Sequence, residues 1–464
     1  MKLKEIYALT IIICISFSVV TYAEFLEYQS IPTNSAYYIE HFSINNENYL
    51  AVANYFNGIS YNINSKIYKW KESTFSEIQN IPTSGALDLE CFIIDNETFL
   101  AVANNYNGLT QNIDSKIYKW NGTEFLEFQT IQTHRAFDWE YFTINGHKYL
   151  AMANNFDGSN RNIHSKIYKW NGTKFNEFQS ILTNSACDWE FFNVNNDNFL
   201  AVANDIGDSK IYKWNGNEFS EFQSISTNGA RTWNSFSMNN ETYLALANYY
   251  QHSSYKQNSK IYMFNGSTFE EFQSIPTNGA YDWEYINLNS ESYLVLANQN
   301  DNSSWNTNSK VFKWTCGSFE DFQSIPTNGA IDLEYFIING DSYLAIANHN
   351  NGYTRNINST IYKWKSECNY TDIDEDGVID IFDIDSKTPK GSAVYSDGRR
   401  SDDLYNEIDE LKQTISNMYT EEQVSEKLQY ILECCDTDGN GKISLVEIIK
   451  GLETLSGINK KDAK

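Results

Sequence analysis

Basic residues are in short supply. The 464-residue chain carries 34 Lys and Arg against 60 Asp and Glu, a formal charge of −26. That balance argues against a nucleic-acid partner, because phosphates would be repelled rather than neutralised. Proline is scarce at 5 and glycine only moderate at 23, while aromatics reach 15%. A chain this aromatic can bury large cores and is not disordered overall. Its 32 Tyr and 28 Phe lean toward β-structure, since aromatic side chains fit a pleated surface. Long apolar runs are also missing, apart from residues 6–20. That run is shorter than the ~20 residues a membrane span needs.

Lys2 and Lys4 precede the apolar run, and Thr21-Tyr22-Ala23 follows it with small residues at a cleavage position. This order predicts a secretory signal peptide over 1–23 and a secreted or lumenal mature chain. Cys14 leaves with it. Six cysteines remain, at 91, 187, 316, 368, 434 and 435. An even count permits disulfides without assigning them. Cys91 and Cys187 stand where other repeats have aromatic or apolar residues and are expected as buried thiols. Cys316 with Cys368 is the best-placed candidate pair.

What the chain has in abundance is one phrase written seven times. Phe25-Leu-Glu-Tyr-Gln returns at Phe75, Phe125, Phe175, Phe219, Phe269 and Phe319, every 50 residues except for one repeat of 44. Such a period signals a solenoid, a propeller or an array. Within residues 125–182, strands are expected at 139–144, 148–154, 165–170 and 175–181. Asn145-Gly146 and Asn171-Gly172 supply hairpin turns. Four antiparallel strands per repeat make a propeller blade. The repeats begin on a fourth strand at Phe25 and end after a third, at Trp364, so the N-terminal strand is expected to complete the last blade. A solenoid would need capping repeats, and none is visible. The predicted fold is an all-β seven-bladed propeller over 24–368, followed by an acidic linker at 369–400 and a helical region at 401–464.

The phrases Gln-Ser-Ile-Pro-Thr-Asn-Gly-Ala-x-Asp-Trp-Glu, Tyr-Leu-Ala-x-Ala-Asn and Ser-Lys-Ile-Tyr-Lys-Trp-Asn-Gly resemble the EAR (epilepsy-associated, or EPTP) repeat. The resemblance covers all seven repeats. It implies a seven-bladed propeller in a secreted or cell-surface protein, acting in extracellular recognition rather than catalysis. The leucine-rich repeats of the leucine-rich glioma-inactivated relatives are absent, so their receptors do not carry over. Kelch paired glycines and WD40 Trp-Asp endings are missing as well.

In each blade the hairpin turns share one face, the bottom, and the longer connections share the top. Loops on a rigid scaffold favour binding residues. Arg135, Arg161, Arg231 and Arg355, the four propeller arginines, are expected on top loops together with Trp305, which departs from the repeat; Arg and aromatics are enriched at binding hot spots. Glycosylation sequons at Asn96, Asn121, Asn171, Asn240 and Asn265 map to bottom turns, Asn302 and Asn358 to the top, and Asn369 beyond the ring. Asn-Gly-Thr is also plain turn chemistry. The Asn that ends every second strand and the Ser that opens every third recur in all seven blades, which marks them as structural.

Asp88, Asp138, Asp188, Asp282 and Asp332 open the first strand of five blades, with Tyr38 and Thr232 in the other two. Glu90, Glu140, Glu190, Glu284 and Glu334 follow two residues on. First strands line a propeller's channel. This ring would either hold a cation or bond to loop amides.

The tail carries calcium-ligand spacing. Asp436, Asp438, Asn440, Lys442, Ser444 and Glu447 match positions 1, 3, 5, 7, 9 and 12 of an EF-hand loop, with Gly441 at the sharp turn. Thr420-Glu-Glu-Gln423 is a capping box for the entering helix. Asp372, Asp374, Asp376, Val378, Asp380 and Asp383 repeat the spacing without an entering helix and are similar to a thrombospondin type 3 calcium motif. Leu404, Ile408, Leu411, Ile415 and Met418 form a heptad seam, which either covers the EF-hand or joins two chains through 404–418. Residues 369–464 hold 22 acids and 11 bases, so bound Ca2+ would neutralise part of the excess.

These features together predict a secreted, calcium-binding recognition protein whose propeller top binds an extracellular protein or glycan. A matrix or coat component is the alternative. A propeller glycosidase is disfavoured, because the six histidines are scattered without a common partner and no sialidase-type Asp box occurs.

Overall fold

The computed structural model describes residues 24–227 and 229–365. The candidate calcium loops, the 404–418 seam, Asn369, Cys368 and the signal segment lie outside the described residues. Among the described residues no helix is long and apolar enough to cross a membrane.

Seven four-stranded antiparallel sheets follow one another along the chain. Blade 3 is typical, with strands Ala136–Ile144, His147–Asn154, Asn162–Trp170 and Phe175–Asn184. Each strand starts or ends up to three residues beyond its sequence-based limits. Consecutive innermost strands contact one another from blade to blade, and blade 7 contacts blade 1. The ring is closed as expected: Glu24–Pro32 pairs as the outer strand of the sheet formed by Ala330–Ile338, Asp341–Asn348 and Asn358–Lys365.

Burial explains the sequence pattern. The second strand of each blade is covered on both faces, so its residues form a nearly continuous apolar run, as in Leu150-Ala-Met-Ala153. The core lies between adjacent sheets. Phe42, Tyr49, Ala51 and Ile67 of blade 1 pack on Leu89, Leu100, Val102 and Phe125 of blade 2, and the same layer recurs around the ring.

The two Asn-Gly turns differ. Asn145 (φ 50°) and Gly146 (φ 76°) form the expected two-residue turn, with Ile144 opposite His147. At Asn171-Gly172 only Gly172 has positive φ, at 99°. There Trp170 pairs with Phe175 around a four-residue loop. The Asn171 side chain accepts the Thr173 and Lys174 amides at 2.9 Å each. This Asx arrangement replaces the backbone conformation that a tighter turn would demand.

Polar staples tie the blades to one another. Gln323 Oε1 accepts the Phe25 amide at 2.9 Å and its Nε2 donates to the Phe25 carbonyl at 2.8 Å. Gln129 does the same to Phe175. The Asn that closes each second strand is buried. Asn54 Oδ1 accepts the Asn34 amide at 2.8 Å, and its own amide reaches Ser65 Oγ at 3.2 Å. Ser65 Oγ in turn bonds Thr83 at 3.0 Å.

Candidate binding face and central channel

Six of the seven innermost strands begin with a β-bulge one residue before the channel aspartate or its replacement, as between Ala136 and Asp138. The seventh, in blade 5, has an irregularity that extends from Ala230 to Trp233. A bulge re-aims side chains, and here two consecutive residues come to line one cavity. Tyr37, Phe137, Arg231 and Tyr281 line it along with Asp88, Asp138, Asp188 and Asp332; the cavity is about 50 Å³.

Each aspartate reaches across to the next blade. Asp88 Oδ2 accepts the Trp139 amide at 2.8 Å, Asp138 that of Trp189 at 2.9 Å, and Asp188 that of Trp233 at 2.8 Å. Asp282 takes Leu333 at 3.1 Å, and Asp332 takes Ile39 of blade 1 at 2.8 Å; Tyr38 and Thr232 leave the steps from blade 1 to 2 and from blade 5 to 6 without an aspartate. The glutamates form a second tier with the same habit. Glu90, Glu140, Glu190 and Glu334 accept the amides of Tyr141, Phe191, Ser235 and His41 at 2.8–3.0 Å. Glu40, which follows Tyr38 at the same spacing, belongs to this tier and bonds the Cys91 amide. Its place two residues after Tyr38 is legible in the sequence. The carboxylates therefore serve strand amides, not loop amides.

Burial pushes these acids up. Asp88, Asp282 and Glu190 rise to about 7 and Glu334 to about 8. Burial followed by neighbouring carboxylates raises Asp138, Glu40, Glu140 and Glu284 well above the usual range. Backbone amides partly offset the cost by favouring the charged form. Among the described residues no three His, Cys, Asp or Glu side chains converge to hold a metal ion.

The top loops separate the sequence-predicted binding residues. Arg231 is not on a loop. It lies in Ala230–Met238, its side chain only 12% exposed, and is paired with Asp205 at 2.7 Å. Its guanidinium stacks 4.4 Å from the Tyr249 ring centroid and bonds the Cys187 sulfur at 3.4 Å. It lines the cavity and is not a surface group. Cys187 is buried and its thiol is pushed up to about 12, chiefly by that burial. Neither Cys91 nor Cys187 is in a disulfide.

Trp305 also has company. Its carbonyl accepts the Gly329 amide at 2.6 Å, as Tyr61 accepts Gly85 at 2.7 Å and Tyr255 accepts Gly279 at 2.6 Å. The position is therefore an aromatic strut shared by three blades, and Trp305 is half-buried there. Arg161 and Arg355 occupy the same register in blades 3 and 7, with their carbonyls accepting Ser185 at 2.7 Å and Ser35 at 2.6 Å. Arg355 Nη1 contacts His349 Nε2 at 2.7 Å. Burial, and then Arg355, hold His349 down at about 3, so it is neutral. Arg161 is exposed, 5.2 Å from the Phe156 ring centroid.

Arg135 takes φ 50° at a position that blades 2, 5, 6 and 7 fill with Gly85, Gly229, Gly279 and Gly329, and blades 1 and 4 with Ser35 (φ 52°) and Ser185 (φ 54°). A side chain in that conformation is strained, and Arg135 is half-buried with its guanidinium 5.7 Å from the Phe137 ring centroid.

Asn96, Asn121, Asn171, Asn240 and Asn265 are exposed in the bottom hairpin turns, and Asn302 and Asn358 are exposed on the top side. Asn215 builds the same Asx turn as Asn121 without a sequon, since Asn217 replaces the Thr.

The EPTP domain model matches seven times, at residues 24–71, 74–121, 124–171, 174–215, 218–265, 268–315 and 318–365. A human thrombospondin-type laminin G domain and EAR repeat-containing protein is 49% identical over 51 residues, which is 11% of this chain and 8% of that protein. The match thus spans under a tenth of that relative's length. A chain from the crystal structure of BBS1N in complex with ARL6DN, soaked with mercury, aligns with a TM-score of 0.49 at 13% identity, covering 74% of this chain and 97% of that one.

Proposed function

We propose, from the premise that this chain belongs to the EPTP domain family, that it is a secreted, calcium-binding recognition protein whose propeller top face docks an extracellular protein or glycan. The observation that carries this reading is the contrast between the scaffold and the top connections. Staples, struts and inter-blade carboxylates repeat from blade to blade, whereas Arg135 puts a long cationic side chain at a positive-φ position that the other blades fill with Gly or Ser, and Arg161 stands exposed on the same face. A repeat-bearing position maintains the ring; a position that departs from it at a cost in strain is better explained by binding. The human relative's name, with its laminin G domain and EAR repeats, supports an extracellular setting.

In the tail, the donor set of Asp436, Asp438, Asn440, Lys442, Ser444 and Glu447 suits Ca2+, a hard cation that takes oxygen ligands. The second set at 372–383 has the same chemistry. Calcium there would order the tail rather than signal. The test is capture of extracellular protein or glycan by the full chain in calcium. Arg161→Ala and Arg135→Ala should weaken capture, and the bottom-turn change Asn171→Gln should not. Greater damage from Asn171→Gln would reverse the choice of face. Sedimentation into large calcium-dependent assemblies without a partner would instead favour a matrix or coat component.

A further inference from the structure

Three neighbouring blades end their top loops in one identical turn. These are Asn57-Gly58-Ile59-Ser60 in blade 1, Asn107-Gly108-Leu109-Thr110 in blade 2 and Asn351-Gly352-Tyr353-Thr354 in blade 7. In each, the Asn Oδ1 accepts the amides two and three residues on. The distances are 2.9 and 2.8 Å at Asn57, 2.9 Å twice at Asn107, and 3.0 and 2.9 Å at Asn351. The turn is pinned, and its tip side chain stands out in water. Ile59 is 92% exposed, Leu109 91% and Tyr353 94%.

At the same register blades 3, 5 and 6 carry Ser159, Ser253 and Ser303, and blade 4 has too short a loop to hold the position. Isolated exposed apolar residues are ordinary. Apolar tips on blades 7, 1 and 2, with serine wherever else the position exists, form a sector. The loops that carry them, 54–64, 104–114 and 348–358, contain Arg355 and Asp114 as their only fully charged residues. Arg355 is turned toward Ser35 and the neutral His349.

We propose that this sector is a self-association surface, in which a second copy of the chain sets its own Tyr353, Ile59 and Leu109 row against it about a two-fold axis. The proposal rests on the reading that the top is the docking face. Charge selects a second copy. Two chains of −26 repel one another, and their approach is least opposed where both surfaces lack charge. A strongly charged partner would find nothing complementary on this sector. Area agrees. Six apolar tips at roughly 150 Å² each offer about 900 Å², below a standard specific interface and in the range of weak, transient contacts. A bilayer would cover only the three tips of one copy. The geometry thus points to a weak, isologous dimer.

The experiment is sedimentation velocity of the full-length chain from about 1 to 300 μM. The wild type should pass from monomer to dimer. The double variant Ile59→Asp, Leu109→Asp should raise the dimer dissociation constant by about a hundredfold or more, because each charge is buried twice in a symmetric contact. Ser159→Asp, on the next blade, should leave it unchanged, as should Leu411→Asp. A wild type that is monomeric throughout overturns the proposal. So does a dimer that the double variant leaves intact, or one that Leu411→Asp alone abolishes, which would place the contact in 404–418. Binding of monomeric protein to phosphatidylcholine vesicles, lost in the double variant, would assign the tips to a lipid surface and overturn it too. Thermal melts of each variant check folding. Partner capture by Arg161→Ala is measured separately, so failure of the dimer and failure of the docking face remain distinct results.

Discussion

Replacing Glu190 with Gln should change the pH dependence of stability in a defined direction. Glu190 Oε1 accepts the Ser235 amide at 2.9 Å, and Gln keeps an oxygen there while removing the ionisation. Burial raises the carboxyl from 4.5 to about 7. The folded state then holds a proton that the unfolded state releases, so stability falls as pH rises. The contribution is complete below about pH 4.5 and is lost as pH passes 7. At 1.36 kcal/mol per unit, the difference between the two states approaches about 3 kcal/mol at pH 8, an upper figure because the side chain is partly open to the channel. Urea melts of wild type and Glu190→Gln in chelator should coincide at pH 4. At pH 8 the variant should be the more stable by up to that amount. A wild type whose stability rises from pH 5 to 8 would refute the argument. So would a calcium-induced gain at pH 8 that Glu190→Gln abolishes, since it would mean that the channel acids are ionised around a metal.

Other outcomes follow from single contacts. Gln323→Ala removes both bonds to Phe25 and should cost about 2 kcal/mol in a urea melt, as Gln129→Ala should at Phe175. A cost at Gln129 with none at Gln323 would argue against a closed ring. Arg135→Gly relieves the φ of 50° and should stabilise the propeller by about 1 kcal/mol in thermal unfolding, while weakening partner capture. Glu447→Gln removes the bidentate ligand of the EF-hand-like loop and should reduce calcium affinity in calorimetry; unchanged affinity would dismiss that assignment.

The blades were legible because a β-hairpin is a local object. Alternating polarity, the Asn145-Gly146 turn and the fixed period act within a few residues, and each is present in the chain itself. The Asn171 hairpin falls between the expected strand limits at 170 and 175, and the side-chain bonds of Asn171 take the place of the positive φ that a two-residue Asn-Gly turn needs. Trp305 looked exceptional until its carbonyl was seen to hold Gly329 as Tyr61 holds Gly85. That register could have been found by aligning the loops on the following Asn and Ser. Arg231 was different. Its neighbours Cys187 and Asp205 belong to the preceding blade, and only the bulged strand start turns it to the axis.

The amino-acid sequence alone therefore determined the number of blades, their strand order and the closure by residues 24–32, because repeated local patterns and a phase offset between the two ends suffice for that. Tertiary structure alone decided which carboxylates bond which amides, which arginines remain exposed, and which tips stand side by side. Those relations join residues about 50 positions apart, as in Asp88 to Trp139. They depend on the bulge, the inter-blade register and the burial that seven sheets create around one axis.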